Sequence, residues 1–264
     1  MEYPGRVIKA GERDAGIVPA LKAALNNALA AEHDAALRLD PNDVAFDDRT
    51  RQAIMFFQAR HVDAQGRPLR QDGEVGPLTW AALFGDSSLP VATAAGDSLL
   101  GTVLEIAGAQ EAKNVREVPK DSNRGPEVDE YLRRAGVNPG LSWCCAFVYW
   151  CFDEAARQLG RKNPMVKTAG CLDHWHRAAA TGAKCIPAAR AVDNLGLVRP
   201  GMIFVMDHGG GLGHTGLVEK VASGLLTTIE GNTDASKTRE GGGVYRLTRK
   251  VGEINAGFID YADV

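Results

Sequence analysis

The chain has 264 residues, 45% of them hydrophobic and 24% charged, with a net charge of −3. That length allows one large domain or two ordinary ones, each with a real core. A nearly balanced charge without a basic patch argues against nucleic acid or an anionic membrane surface as partner.

The N-terminus, Met1-Glu2-Tyr3-Pro4-Gly5, lacks a charged-then-apolar signal region, and no apolar run approaches the ~18 residues of a membrane span. The expectation is synthesis in the cytoplasm without a signal peptide, and no membrane partner. Five cysteines, three of them within eight residues, do not read as a disulfide framework, so reduced thiols are expected.

Residues 1–86 read as a unit of their own. Ile17, Val18, Leu21, Leu25 and Leu29 recur at helical spacing, and residues 47–60 repeat the pattern with Ile54 and Phe57. A loop over 63–76 leads to Pro77, which suits the first position of a short helix over 77–84, stopped by Gly85. Nothing here pairs a nucleophile with a base, so the unit reads as a binding or packing module. The run Thr50-Arg51-Gln52-Ala53-Ile54 with Phe57-Gln58, then Asp72-Gly73-x-Val75-Gly76 and Thr79-Trp80 with Leu83, resembles the small three-helix peptidoglycan-binding domain of many cell-wall hydrolases. The resemblance implies bacterial peptidoglycan as partner and makes Phe57 and Trp80 candidate substrate contacts. Taken singly, Phe57, Trp80 and Phe84 are better read as core.

Residues 87–97, with small residues and Pro90, read as a linker, and the second domain spans 98–264. Leu99, Leu100, Val103, Leu104 and Ala107 give one helix, and residues 126–132 another, closed by Gly136. Between them, Asp121-Ser122-Asn123-Arg124-Gly125 places oxygen ligands at alternate positions. A calcium loop counted from Asp121 needs a bidentate Glu where Leu132 stands, so a capped turn is expected instead.

The stretch Ser142-Trp143-Cys144-Cys145-Ala146-Phe147-Val148-Tyr149-Trp150-Cys151 organises this domain. Ser142 is a good N-cap, and Cys144, Phe147, Val148 and Cys151 form one stripe of a buried helix running to about Leu159. Cys144 then sits in the first turn, where unpaired N–H groups and the positive end of the dipole favour thiolate over thiol. The same residues also suit ordinary packing, because cysteine is among the most buried residue types. Farther on, Cys171-Leu172-Asp173-His174-Trp175-His176 holds metal-type residues, but on a helix Cys171 and His174 share a face that His176 does not. No second Cys or His pair follows at zinc spacing, so a wet helix face is expected, with no metal and no cofactor.

From Val198 the pattern turns to strands: residues 202–206, 217–221 and 225–230, with Ser223-Gly224 as a turn, then stretches near 244–247 and 256–261. The expected fold class is α+β, a three-helix N-terminal domain followed by helices packed on a small antiparallel sheet. Gly211-Leu212-Gly213-His214-Thr215-Gly216 fits G-x-G-x-x-G, with Glu230 beyond it, as in a dinucleotide site. Only eight residues separate Gly216 from Leu225, fewer than the roughly 10 to 12 of a βαβ crossover, so a hairpin is preferred. Such a hairpin puts position 214 opposite 230 or 232, and opposed residues face the same way. His214, Glu230 and Asn232 then share a face. An imidazole held there by a carboxylate or amide can present its other nitrogen to a thiol, which with Cys144 completes nucleophile, base and orienter.

Three motifs in order, Trp143-Cys144-x-Ala146-Phe147-Val148-x-Trp150-Cys151, Gly213-His214-x-Gly216-x-Val218 and Ile229-Glu230-Gly231-Asn232-Thr233, resemble the cysteine, histidine-dependent amidohydrolase/peptidase (CHAP) family, a papain-like group that cuts peptidoglycan. The resemblance covers the chain from about residue 98. It implies a papain-like fold, Cys144 as nucleophile, His214 as base, Glu230 as orienter, Asn232 as an auxiliary polar group and Trp143 as a substrate contact. Cys145 stands where the family places a small residue. The implied reaction is hydrolysis of an amide in the stem peptide, or between peptide and glycan, through a thioacyl intermediate. Alternatives are a catalytically silent wall-binding protein and an acyltransferase using the same triad. A wall-active enzyme without an export signal is expected to act in the periplasm or outside after phage-holin release, lysis, or delivery as an antibacterial toxin by a contact-dependent machine. An immunity protein or a secretion-system carrier is the partner expected in the last case.

Overall fold

The computed structural model describes residues 1–30, 38–85, 88, 98–222, 225–238 and 240–264. They form two compact units, one of Met1–Val91 with the short pieces Val192–Gly196 and Ala222–Gly224, the other of Ala92–Ala191, Leu197–Val221 and Leu225–Val264. The expected linker over 87–97, Ser88 apart, and the expected turn at Ser223-Gly224 lie outside the described residues.

The first unit contains three helices, α1 (Ile17–Ala28), α2 (Asp48–Arg60) and α3 (Pro77–Phe84). Asp47 starts α2, its carboxylate accepting the Thr50 backbone N–H at 2.8 Å, which satisfies one of the donors a helix leaves open at its N-terminus. Pro77 occupies the first turn of α3 and Gly85 ends it at φ +87°. Val18, Leu21 and Leu25 from α1, Ala53, Ile54 and Phe57 from α2, and Trp80 from α3 have no exposed surface and make the core.

Gln58 explains why the motif residues of this unit occur together. Its buried amide donates to Asp72 Oδ1 at 3.0 Å, to the Glu74 carbonyl at 2.9 Å and to Thr79 Oγ1 at 3.3 Å. Its carbonyl oxygen accepts the backbone N–H groups of Asp72 and Gly73 at 3.1 and 2.9 Å. Gly73 takes a left-handed φ of +72° there, pressed so close to α2 that a Cβ would come within 2.6 Å of Arg51 Cγ. The Phe-Gln pair and the Asp-Gly turn are thus one device that pins the loop to α2. Phe57 and Trp80, expected as substrate contacts, offer no ring surface to solvent. Trp80 packs on Phe84 at 4.4 Å and edge-on to Tyr3 at 5.7 Å, and the core reading is the one the structure gives.

Farther along the chain come α4 (Leu99–Ala112), α5 (Pro126–Ala135), α6 (Cys144–Gln158), α7 (Cys171–Arg177) and α8 (Ala188–Asp193), with the strands β1 (Lys184–Pro187), β2 (Ile203–Gly209), β3 (Leu212–Ala222), β4 (Leu225–Thr233), β5 (Gly243–Lys250) and β6 (Gly257–Asp260). The fold is α+β, with eight helices among the described residues and one antiparallel six-stranded sheet in the order β1-β6-β2-β3-β4-β5. Ile203 and Val205 of β2, Leu217 of β3, Ile229 of β4 and Val244 of β5 join Phe147, Val148 and Cys151 of α6 in the core between helices and sheet. No helix among the described residues is long and apolar enough to cross a membrane.

Two expectations are corrected and one strand is new. β1 has no alternating pattern of its own and is held through its pairing with β6, Cys185 opposite Ile259 and Ile186 opposite Phe258. β3 begins at Leu212 rather than 217, because Gly209, Gly210 and Gly211 all take left-handed φ of +78°, +61° and +80° and reverse the chain immediately after β2. The G-x-G-x-x-G run is therefore the end of a turn and a strand, with Met206 opposite His214, and not the strand-to-helix turn of a dinucleotide site. Finally, α7 is not a wet face: Cys171 and His174 are buried, and His174 Nε2 lies 2.9 Å from the Tyr261 hydroxyl while His176 is exposed.

Replacing Gln58 by Leu leaves the buried N–H of Gly73 and its neighbours without partners, at roughly 1–3 kcal/mol for each unsatisfied group. The Gln58→Leu chain is expected to lose at least about 2 kcal/mol of stability in the first unit. Urea unfolding monitored by Trp fluorescence measures it, and an unchanged midpoint would show that the loop is held by something else.

Candidate active site

Cys144 is the first residue of α6, and the helix begins there without a side-chain cap. Ser142, expected as the cap, instead turns its hydroxyl to Glu240, 3.1 Å away. The first-turn N–H groups of α6 are therefore not consumed by a capping side chain. Trp143 precedes the helix as a wedge. It is fully buried between Tyr131 and Phe147, and its indole N–H donates to Glu117 Oε1 at 2.8 Å. With no exposed surface it is not a substrate contact, which corrects the expectation for this residue. Glu117, on the segment between α4 and α5, carries no motif or periodic signal in the sequence.

His214 sits near the start of β3 and Glu230 on the neighbouring β4, both buried, with His214 Nε2 2.7 Å from Glu230 Oε2. Because a carboxylate can only accept, the Nε2 nitrogen carries the proton. Nδ1 makes no hydrogen bond among the described residues, not even to the Cys144 thiol. The two groups act on each other, His214 lowering the thiol pKa and Cys144 raising that of the imidazole. Two glycines permit this spacing. A Cβ on Gly216 would come within 2.7 Å of Glu230 Cγ, and one on Gly231 within 2.7 Å of the Trp143 ring and 2.8 Å of Phe147 Cβ. Gly216 thus makes room for the carboxylate, and Gly231 lets the first turn of α6 press on β4.

Sequence reasoning missed Arg249. From β5 its guanidinium grips Glu230 with two bonds, Nε to Oε1 and Nη2 to Oε2, each 2.7 Å, and it is itself only 4% exposed. Thr228 adds a hydroxyl donor to Oε1. Burial raises the Glu230 pKa, but Arg249 and then His214 outweigh it and hold the carboxyl down at about 2. His214 is lowered by burial and raised more by Cys144 and Glu230, ending up at about 9. An alternating pattern in β5 places Arg249 on the same face as Leu247, which reads as a half-buried cation but not as a partner of residue 230.

Cys144 does not meet the expectation of a standing thiolate. Its Sγ lies 3.3 Å from Cys171 Sγ, and this contact, followed by burial, pushes its pKa well above that of a free thiol; the opposing pull of His214 is smaller. Cys145 points elsewhere, its Sγ 3.6 Å from the Thr168 carbonyl. Asn232 is buried but lies in a bulge, where β4 has one residue more than β5 between the pairs Glu230–Tyr245 and Thr233–Gly243. At φ +58° its amide reaches Glu240 at 3.5 Å, so the face shared by His214 and Glu230 does not extend regularly to it.

Residues 136–232 match the family model of the CHAP domain, which supports a CHAP-type domain in that part of the chain. No curated protein and no solved structure matches the chain. The matched segment includes Cys144, Cys171, His214, Glu230 and Asn232 and ends before Arg249.

The depressed Glu230 pKa stabilises the fold above its ordinary 4.5, and this contribution disappears as pH falls toward about 2. The raised His214 pKa contributes fully below its ordinary 6.5 and is lost as pH rises through about 9. Urea midpoints should therefore form a plateau between those ordinary values and fall on both sides. In Arg249→Met the acid-side decline is expected to become smaller, since the Glu230 pKa then lies closer to its ordinary 4.5 and less stability is linked to its ionisation. An acid limb of unchanged depth would remove Arg249 from the account.

Proposed function

We propose that the chain is a cysteine hydrolase of bacterial peptidoglycan that cuts an amide bond in the stem peptide or between peptide and glycan. CHAP domains are in general peptidoglycan hydrolases or amidases. The observation that carries the reading is the buried succession of thiol, imidazole and carboxylate in Cys144, His214 and Glu230, with the thiol at an uncapped helix start.

In this reading the neutral form of His214, the minor form at neutral pH because its pKa is raised to about 9, takes the Cys144 proton at Nδ1 as the sulfur attacks the amide carbonyl carbon. The oxygen that gains negative charge is met by backbone N–H groups of the first turn of α6. The C–N bond then breaks, and the amine leaves with the proton from His214. Water, giving a proton to the same nitrogen, opens the thioester, releases the carboxylic acid and restores the thiol. Glu230 keeps the imidazole in one tautomer and stabilises its charged form, and Arg249 keeps Glu230 ionised. Asn232 is an auxiliary polar group of the site. The first unit retains the enzyme on the wall through exposed residues around its buried motif. The enzyme acts at the bacterial cell wall, with an immunity protein or a carrier as partner where it serves as a toxin.

Cys144→Ala is expected to reduce release of new amino groups from purified peptidoglycan by about 1000-fold or more, whereas Cys145→Ala stays within a few-fold of the parent. The reverse pattern transfers the nucleophile to Cys145. Products that form only with an added amine acceptor would make the protein an acyltransferase. A chain lacking residues 1–85 is expected to lose co-sedimentation with insoluble peptidoglycan while still cleaving soluble muropeptides. Equal retention of both chains would deny the first unit a wall-binding role.

A further inference from the structure

Outside the proposed reaction, the thiol of Cys171, the first residue of α7, lies against the nucleophile. Both cysteines are buried and free, and they approach from separate helices with their sulfurs 3.3 Å apart. A disulfide needs about 2.0 Å between sulfurs, so closure calls for side-chain movement of little more than an ångström. The neighbouring Cys145 is adjacent to Cys144 in the same helix turn, where their backbone cannot supply disulfide geometry; its sulfur lies 3.6 Å from the Thr168 carbonyl and also acts on Cys171, which makes it the competing partner. Cys151 lies two turns along α6, and Cys185 is on β1.

We propose that Cys144 and Cys171 form a site of reversible oxidation, in which Cys171 resolves an oxidised Cys144 to an intramolecular disulfide. The oxidant is a peroxide, small enough to reach a thiol that is 3% exposed. One thiol of the pair attacks hydrogen peroxide, the O–O bond breaks, and the products are a sulfenic acid and one water. The second sulfur displaces the hydroxyl from the first, forming the S–S bond and releasing a second water. Two thiols are thereby oxidised by two electrons, one peroxide is reduced, and no other reactant is needed. The consequence for the hydrolase reading, on which the functional part of this proposal rests, is that the bond takes the Cys144 sulfur out of reach of both His214 and substrate. It also spares that sulfur from oxidation beyond sulfenic acid, a step thiol reductants do not reverse.

The test treats the full chain with hydrogen peroxide and counts thiols and intact mass before and after dithiothreitol. The parent should lose two of its five free thiols and two hydrogens of mass, and regain both on reduction. Cys145→Ala should behave the same way, with peptide mapping joining Cys144 to Cys171. Cys171→Ala should instead accumulate oxygen on Cys144 that dithiothreitol does not remove. Parent protein that keeps all its thiols, or that pairs Cys171 with Cys145, overturns the proposal. Because mass and thiol count are read without any substrate, they decide the pairing even where the protein shows no wall hydrolysis. Where hydrolysis is present, oxidised parent should lose it and reduced parent should recover it, and hydrolysis that survives oxidation overturns the functional consequence. Parent and Cys145→Ala suffice should Cys171→Ala fail to fold.

Discussion

The carboxylate of Glu230 is the charge around which the second unit is arranged. Removing an ion from water costs several kcal/mol even after relaxation, and burial is tolerated only where donors and cations replace the lost solvent. Here three strands supply them: His214 from β3, Arg249 from β5 and Thr228 from β4 itself. The need is one of register. Glu230 stands opposite Tyr245 and Arg249 opposite Leu226, so carboxylate and guanidinium meet over Thr228 on their common face. A slip of β5 by one residue would turn Arg249 to the other face and strand a buried charge. The sheet order and the electrostatics of the site are therefore the same constraint seen at two scales.

Close approach is the second constraint, and two glycines meet it. Gly216 lies under Glu230 and Phe204, and Gly231 lies under Trp143 and Phe147, each where any side chain would collide. Both belong to motifs that read as chemistry, His-x-Gly and Glu-Gly-Asn, yet their own contribution is space. A histidine and a carboxylate on adjacent strands are common. What is built here is a strand pair thin enough at two points for a helix tip and a buried carboxylate to reach the same imidazole.

Much of this was legible because local rules act locally. Asp47, Ser98, Pro77, Gly85 and Gly136 mark helix ends by capping, fixed φ or left-handed geometry, and the helices begin and end beside them. The pairing of His214 with Glu230 followed from hairpin arithmetic alone. What escaped depends on contacts distant in sequence. Arg249 is a strand residue whose partner is set by register, Glu117 a loop residue whose partner is an indole, and β1 a strand that exists through β6. Phe57, Trp80 and Trp143 show the limit of reading aromatic residues as contacts: all three rings are interior and serve packing. Ser142 had the right chemistry for a cap, but Glu240 holds its hydroxyl.

The state of the thiol shows why magnitudes had to decide. A helix dipole favours an anion at its N-terminus by roughly 0.3–1 kcal/mol, and by ~2 in partly buried geometries. Desolvating a thiolate costs more than this, and the Cys171 contact adds to the cost, so the sulfur at the tip of α6 rests as a thiol. The dipole alone does not make a nucleophile there. In the proposed reaction the proton must move to the neutral form of His214 as attack occurs, and the cost of the resulting ion pair falls on the imidazole. An imidazolium buried beside β4 is sustainable because Glu230 is already ionised, and Glu230 is ionised because Arg249 holds it. Reactivity at the helix tip is thus set two residues deeper, by a cation that never touches the sulfur.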